Sequence, residues 1–185
     1  MYKRQTNAKA LTGGELPIGA IVASKKIADT FDHTEGSDGQ FHHGVTYGGH
    51  PAVMAAGLKN LEIMEREGVV ENSDKMGTYL YEKALSVLQE NHPSVGFVGG
   101  GLGLLMAIEI VKNRKTKEKY PGGFNSEFSN RFTDIVRGNG LAIRAGDTIT
   151  LSPPLVITQD LVDQIIDVLD RSLSQMEREF PPDNV

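Results

Sequence analysis

A lysine close to the start of the chain lies in a run of small residues that strongly constrains the local fold. Lys9 stands among alanines and glycines, and an apolar segment, 17–24, follows it. The pattern predicts a tight loop leading into a short strand that is buried on both faces. An amine shielded by such a loop loses solvation in its charged form and becomes a better nucleophile, although an isolated lysine is most often a solvated surface charge. Lys9 is therefore the first candidate catalytic residue.

Composition excludes several classes of function. The chain has 185 residues, a net charge of −5 and no cysteine. The mild negative charge gives no electrostatic footprint for nucleic acid, and the lack of cysteine excludes disulfides and thiolate metal sites. No apolar run reaches the length of a membrane span, so we expect no membrane partner. Cytoplasmic localisation is the default expectation.

The first part of the chain predicts one strand, a long loop and two helices. After the strand at 17–24, residues 29–50 are polar and read as a loop. Pro51 opens a helix over 52–67, because proline is favoured at the first helical position. A second helix is predicted over 69–90 from the spacing of its apolar residues.

The second part alternates strands and helices. The predicted elements are strands at 95–98 and 102–111, a helix at about 125–137, strands at 141–144 and 148–152, and a helix capped by Thr158 that runs to about Phe180. Such an order favours an α/β fold.

Three segments resemble characteristic segments of class III aminotransferases, which depend on pyridoxal 5'-phosphate (PLP). The first is the run Lys9 to Ala20, KALTGGELPIGA. The second, His43 to Pro51 (HGVTYGGHP), is similar to the family's His-Gly-x-Thr-Tyr-Ser-Gly-His-Pro. The third is LAIRAGDTITLSPP, which begins at Leu141 and ends at Pro154. They occur in the family's order, and the resemblance covers nearly all of residues 8–180.

The resemblance implies an α/β fold that is the C-terminal part of a fold type I PLP-dependent transferase. Residues 6–67 would form the C-terminal edge of the large PLP-binding domain, 68–180 the small C-terminal α/β domain, and 181–185 a tail. Residues 2–5 can be encoded by the end sequence of a sequencing transposon, and we expect residues 1–5 to be a non-native artefact. Family members carry further cofactor-binding residues before their lysine. The chain is therefore expected to be a fragment that is inactive alone.

The resemblance also assigns roles to three residues. Lys9 would be the catalytic, Schiff-base lysine that binds PLP. Thr46 would donate to the PLP phosphate of the neighbouring subunit, which implies a homodimer; the alternative is a threonine that caps its own loop. Arg144 would bind the substrate carboxylate through its planar fork, the alternative being an exposed arginine at a strand edge.

The expected reaction moves an amino group from an amino acid, ω-amino acid or amine to a 2-oxo acid, with pyruvate as the expected acceptor. Two alternatives stay open: a non-catalytic α/β interaction module, and another class III PLP enzyme such as an aminomutase.

Two other motifs carry less weight. The histidines at positions 33, 42, 43 and 50 match no standard zinc spacing, so no metal site is expected. The glycine-rich run 99–103 could be a phosphate loop, but phosphate loops open a helix and a strand-like run follows here.

Overall fold

The computed structural model describes residues 4–32, 41 and 43–183. Its internal contacts divide the chain into two compact units, with the boundary between Glu67 and Gly68. Each unit is described by itself.

The first unit contains a two-stranded sheet and two helices. Strand β1 (Arg4–Asn7) pairs antiparallel with β2 (Ala20–Ala23), with Asn7 opposite Ala20. A 3-10 turn, Lys9–Thr12, follows β1. Helix α1 is Lys25–Asp32 and helix α2 is Pro51–Arg66.

The predicted strand at 17–24 is confirmed over β2, but the expectation that it is buried on both faces is wrong. Ile21 and Val22 are 61% and 59% exposed. Their apolar character predicts a covering layer, whereas the described elements of this unit leave the two-stranded sheet open to solvent. Arg4 and Gln5 belong to the segment 1–5 expected to be non-native, and in the structure they pair with β2.

The loop predicted over 29–50 begins later than expected, because α1 extends to Asp32. Residues 33–40 and 42 lie outside the described residues. The helix predicted from Pro51 is confirmed as α2, with proline in its first turn. Gly68 follows it with a φ of 59°, the left-handed conformation that suits glycine after a helix.

The second unit packs helices on a three-stranded antiparallel sheet. The strands are β3 (Val95–Gly99), β4 (Met106–Ile110) and β5 (Thr148–Leu151), in the order β3-β4-β5. The helices are α3 (Val69–Lys83), which continues as a π-helical segment over Ala84–Gln89, α4 (Glu127–Gly138) and α5 (Gln159–Glu179). A short 3-10 turn, Gly123–Asn125, precedes α4.

The core of the second unit lies between the sheet and these helices. Its largest fully buried side chains include Leu80, Leu88, Ile108, Ile149, Phe132, Leu169 and Leu173. The helices predicted over 69–90, 125–137 and 158–180 are confirmed to within two residues, since their apolar faces contact this core. Thr158 occupies the position before α5, but its side chain makes no capping bond.

The strand predicted over 102–111 is shorter than expected, because a turn occupies its first residues. Gly101 and Gly103 have φ values of 89° and 61°. This turn packs against α3 at Gly77, where an added Cβ would lie 2.1 Å from the carbonyl oxygen of Gly103. The glycine-rich run therefore joins β3 to β4 and opens no helix.

The strand predicted over 141–144 is wrong. The segment lies between α4 and β5 and bonds to α4 instead of a strand: the Leu141 N–H donates to the carbonyl of Val136 at 3.1 Å. Its alternating apolar residues resemble a strand, but the Leu141 N–H bonds to α4 and the Ile143 N–H donates to the carbonyl of Leu141 within the segment.

Candidate functional site

Lys9 begins the 3-10 turn that directly follows β1. Its φ is 49°, the left-handed region that costs a residue other than glycine about 1–2 kcal/mol. Among the described residues only Lys117 shares this feature outside glycine. Such conformations persist only where the surrounding structure holds them, so the contacts of this turn matter.

Thr12 fixes the exit of the turn. It is buried, and its Oγ1 donates to the carbonyl of Leu16 at 2.6 Å while accepting from the Leu16 N–H at 3.2 Å. Between them, Gly13 and Gly14 have φ values of 70° and 88°, which glycine adopts without steric cost. The loop after Lys9 is thus closed by the hydroxyl of Thr12, which donates one hydrogen bond and accepts another.

Helix α2 packs against the same turn. The Asn60 side-chain amide donates to the carbonyls of Ala10 and Leu11 at 2.9 and 3.3 Å. One turn earlier, Gly57 is buried, and a Cβ placed there would lie 3.8 Å from the Leu11 carbonyl oxygen. The helix therefore lies within van der Waals distance of the turn at this position.

Lys9 lines an open hollow of about 670 Å³ in the first unit. The other lining residues are Ala10, Gly13, Gly14, Glu15, Leu16, Pro17 and Ile18. The expectation that the loop shields the amine from water is wrong, because Lys9 is exposed. The small residues of the motif form a concave wall on one side of the lysine and leave the other side open.

Thr46 begins a turn that ends at Gly49. The turn is held by the Gly48 N–H, which donates to the carbonyl of Val45 at 2.9 Å, and Gly49 has a φ of 69°. Thr46 is exposed and is not among the described residues that line the hollow beside Lys9.

The histidine segment gives no metal centre among the residues that the structure describes. No group of three or more metal-ligating side chains occurs there. Two of the four histidines, His33 and His42, lie outside the described residues.

Arg144 belongs to the second unit and is exposed in the segment between α4 and β5. It lines a cavity of about 480 Å³, with polar neighbours Ser129, Asp147, Thr148 and Thr150 in the same wall. A guanidinium beside hydroxyl groups suits the recognition of a carboxylate. Asp147 places a second carboxylate in the same cavity, which competes with a bound carboxylate for the guanidinium.

Helix α4 holds the backbone next to Arg144. Thr133 Oγ1 donates to the carbonyl of Ala145 at 2.8 Å and accepts from the Ala145 N–H at 3.0 Å. A Cβ added to Gly146 would lie 2.8 Å from Ser129 Oγ, closer than real contacts allow. The backbone after the arginine therefore lies tightly against the helix.

The predicted residues fall in different units: Lys9 and Thr46 in the first, Arg144 in the second. Sequence reasoning missed the residues that hold their backbones, namely Asn60 and Thr133. No local signal in the sequence marks Asn60, because the carbonyls that it bonds lie 50 and 49 positions away.

Lys9 and Thr46 carry groups that fit PLP, and Arg144 carries one that fits a carboxylate substrate. A primary amine can bond an aldehyde, a hydroxyl with neighbouring backbone N–H groups can bind a phosphate, and a guanidinium can bind a carboxylate. Lys9, Thr46 and Arg144 supply these groups, and all three side chains are exposed.

Comparison with known proteins settles the family. The model of the family described as "Aminotransferase class-III" matches residues 5–173. The chain belongs to the class III aminotransferase family. PLP is the cofactor of this family.

Relatives with assigned names are aminotransferases. The chain is 35% identical to putrescine–pyruvate aminotransferase of Pseudomonas aeruginosa, over 91% of the chain and 35% of the relative. It is 31% identical to a mitochondrial γ-aminobutyrate transaminase of Solanum lycopersicum, over 94% of the chain and 33% of the relative. It is 34% identical to taurine–pyruvate aminotransferase of Bilophila wadsworthia, over 95% of the chain and 39% of the relative. The chain thus spans 33% to 39% of the length of these relatives.

Solved structures confirm the expected fold type I α/β architecture. An (S)-enantioselective ω-transaminase from Thermomicrobium roseum superposes with a TM-score of 0.84 at 33% identity, covering 95% of the chain and 38% of that structure. An amine transaminase from an uncultivated Pseudomonas species, in its PLP-bound internal aldimine form, gives 0.85 at 32% identity, covering 94% and 38%. Among the described helices, none combines the length and apolar character needed to cross a membrane.

Proposed function

We propose that this chain supplies the cofactor-bearing lysine and the carboxylate-binding arginine of a PLP-dependent aminotransferase. The reaction moves an amino group from an amino acid, ω-amino acid or amine to a 2-oxo acid. The observation that carries the proposal is the placement of Lys9: an exposed amine on a left-handed turn, at the wall of a glycine-lined hollow, inside the segment matched by the family.

Lys9 has two roles in this proposal. Its ε-amino group would hold PLP through the aldehyde carbon, with the aldehyde oxygen leaving as water, until the amine of the substrate takes its place. The released amine would then accept the proton lost by the substrate carbon and deliver it to the former aldehyde carbon of the cofactor, as amino transfer requires. When bound, PLP withdraws electrons from that carbon and so makes the proton transfer possible.

Thr46 binds the phosphate of PLP held by a second copy of the chain. The turn 46–49 presents its hydroxyl to solvent, away from the described lining of the Lys9 hollow, which supports a contact made outside its own unit. A hydroxyl donating to a phosphate oxygen forms a charge-assisted bond. A homodimer is therefore part of the proposal.

Arg144 binds the carboxylate of the amino donor or 2-oxo acid. Loss of a charge-assisted bond costs about 1.5–3 kcal/mol, which corresponds to roughly a 10- to 150-fold weaker interaction. In the active enzyme, Arg144→Gln is expected to raise KM for carboxylate-bearing donors by about tenfold or more and to leave KM for simple amines unchanged. Equal effects on both donor types would contradict the assignment.

The acceptor proposed is pyruvate, which appears in the names of two relatives from different bacteria. Residues 6–67 are proposed as the edge of the large PLP-binding domain and 68–180 as the small domain. The boundary between Glu67 and Gly68 supports that division. Residues 1–185 alone are expected to show negligible turnover.

The test of Lys9 is reduction of the protein with borohydride in the presence of PLP, followed by peptide mapping. The label is expected on the peptide that contains Lys9. Its occupancy there should be higher than on exposed lysines such as Lys25 and Lys59, whose amines form ion pairs. An even distribution over all lysines would contradict the proposal and favour the non-catalytic interaction module.

A further inference from the structure

The side-chain amide of Asn60 reaches from α2 to the two carbonyls that directly follow Lys9. Nδ2 lies 2.9 Å from the Ala10 oxygen and 3.3 Å from the Leu11 oxygen, with the sulfur of Met64 at 3.7 Å. We propose that Asn60 is a positioning residue for Lys9, holding its turn in the conformation that presents the amine to the hollow. The inference rests on the function proposed for Lys9.

The contact acts on backbone that would otherwise relax. The φ of 49° at Lys9 is disfavoured for a residue with a Cβ, and neighbouring contacts must maintain it. Local backbone bonds also hold the turn, from the Leu11 N–H to the Ala8 carbonyl at 3.2 Å and from the Gly13 N–H to the Ala10 carbonyl at 2.9 Å, and Thr12 closes the later part of the loop. Asn60 is the long-range donor to the carbonyls at the start of the turn, 50 and 49 positions away in sequence.

A relaxed turn would redirect the lysine. Rotation of φ from the left-handed to the right-handed region changes the direction of the Cα–Cβ bond relative to β1, and the amine moves with it. The bonds from Asn60 therefore affect where the nitrogen lies, beyond any effect on overall stability. Catalytic groups lose efficiency when they are misplaced by about 1 Å.

The chemistry requires an N–H donor at this position. A carboxylate of the same shape cannot donate and would face two carbonyl oxygens, so Asn60→Asp removes the bonds with little change in volume. Asn60→Leu removes them with an apolar side chain. The matched control is Asn72, whose amide donates to the carbonyls of Leu155 and Ile157 at 2.7 and 3.1 Å within the second unit.

The experiment measures the fraction of borohydride-stable PLP label found on Lys9, relative to all other lysines, in the chain of 185 residues. Asn60→Asp and Asn60→Leu are expected to lower this fraction about three- to tenfold, the range that follows from losing one ordinary hydrogen bond. Asn72→Asp and Asn72→Leu are expected to leave it unchanged. Amide hydrogen exchange over residues 8–16 is expected to quicken in the Asn60 variants only.

The outcomes separate the two proposals. If wild-type protein shows no preferential label on Lys9, the function proposed for Lys9 fails and the inference fails with it. If wild-type protein labels Lys9 preferentially and Asn60→Asp matches it in label and exchange, the inference is overturned while the proposed function stands. If Asn60→Leu does not fold, the isosteric variant Asn60→Asp tests the inference. Amide hydrogen exchange in α2 then checks that the first unit is folded.

Discussion

A buried histidine in the second unit offers a sharp test of how this unit is stabilised. His92 is 3% exposed, and its Nε2 and Nδ1 lie 2.9 Å from Asp170 and 3.1 Å from Glu177, both on α5. Glu177 also accepts from the N–H and hydroxyl of Ser94, at 3.0 and 2.6 Å. Arg114 donates to the backbone carbonyl of His92. The network ties the end of the long helical segment to the C-terminal helix.

The substitution His92→Leu removes both hydrogen bonds of the imidazole ring, so the carboxylates of Asp170 and Glu177 lose this partner. The Glu177 side chain is 16% exposed, so losing its charge-assisted bond is expected to cost about 1.5–3 kcal/mol. The Asp170 side chain is 40% exposed, and water replaces its bond at a cost of at most about 0.5 kcal/mol. The expected loss of unfolding free energy is therefore about 1.5–3.5 kcal/mol.

The sign of the pH dependence follows from the pKa shifts. Burial alone lowers the pKa of His92, but the hydrogen bonds and charges of Glu177 and Asp170 outweigh it and raise the pKa above 6.5. Burial alone raises the pKa of Glu177, but bonds from His92 and Ser94 hold it below 4.5. The histidine contribution is complete below pH 6.5 and is lost as the pH rises through its folded value. The Glu177 contribution is complete above pH 4.5 and is lost as the pH falls through its folded value.

The assay is urea unfolding monitored by circular dichroism at pH 5.5 and at pH 9. With a slope of about 1–3 kcal/mol per molar urea, His92→Leu should lower the midpoint by about 1 M at pH 5.5. The difference from wild type should shrink at pH 9, because the histidine contribution is lost as the pH rises through its raised pKa. A loss below about 0.5 kcal/mol at pH 5.5, or a loss that is the same at both pH values, would refute the reasoning.

Two further substitutions, Gly77→Ala and Thr133→Val, each with a control substitution, test the second unit by the same urea assay. Gly77→Ala is expected to lower the free energy of unfolding by more than about 3 kcal/mol, because its Cβ would lie 2.1 Å from the backbone oxygen of Gly103. The control is Gly138→Ala, which has no atom within 4 Å of its Cβ and should be neutral or stabilise by up to about 1 kcal/mol. Equal effects of the two substitutions would contradict the packing. Thr133→Val is expected to cost about 1–2 kcal/mol by removing both bonds to Ala145, whereas Thr133→Ser keeps the hydroxyl and should lose less than half as much. A serine variant as unstable as the valine variant would show that the methyl group, and not the hydroxyl, matters.

The long helices could be predicted from the sequence because their signals are local. Pro51 marks the start of α2, and apolar residues recur at helical spacing along α5, although the spacing alone does not identify Val162 and Ile166 as buried and Leu161 as exposed. Burial of β2 could not be predicted in the same way. The apolar residues Ile21 and Val22 indicate a strand, but their exposure depends on what lies over the sheet and not on the segment itself.

In the candidate site, too, residues inside local motifs could be predicted, whereas a residue that acts over a long sequence distance could not. Lys9, Thr46 and Arg144 were predicted because short motifs surround them, and their roles stay predictions until tested. Asn60 was not found, because a bond spanning 50 positions leaves no mark on the local pattern of α2.

The central claim is that the amine of Lys9 is the group that holds the cofactor. The most direct measurement is the intact mass of the protein after equimolar PLP and borohydride, for wild type, Lys9→Ala and the control Lys59→Ala. Wild type and Lys59→Ala are expected to gain the mass of one reduced adduct, which is the cofactor less water plus two hydrogens, and Lys9→Ala is expected to show much less of this adduct. The same gain in all three proteins would contradict the account.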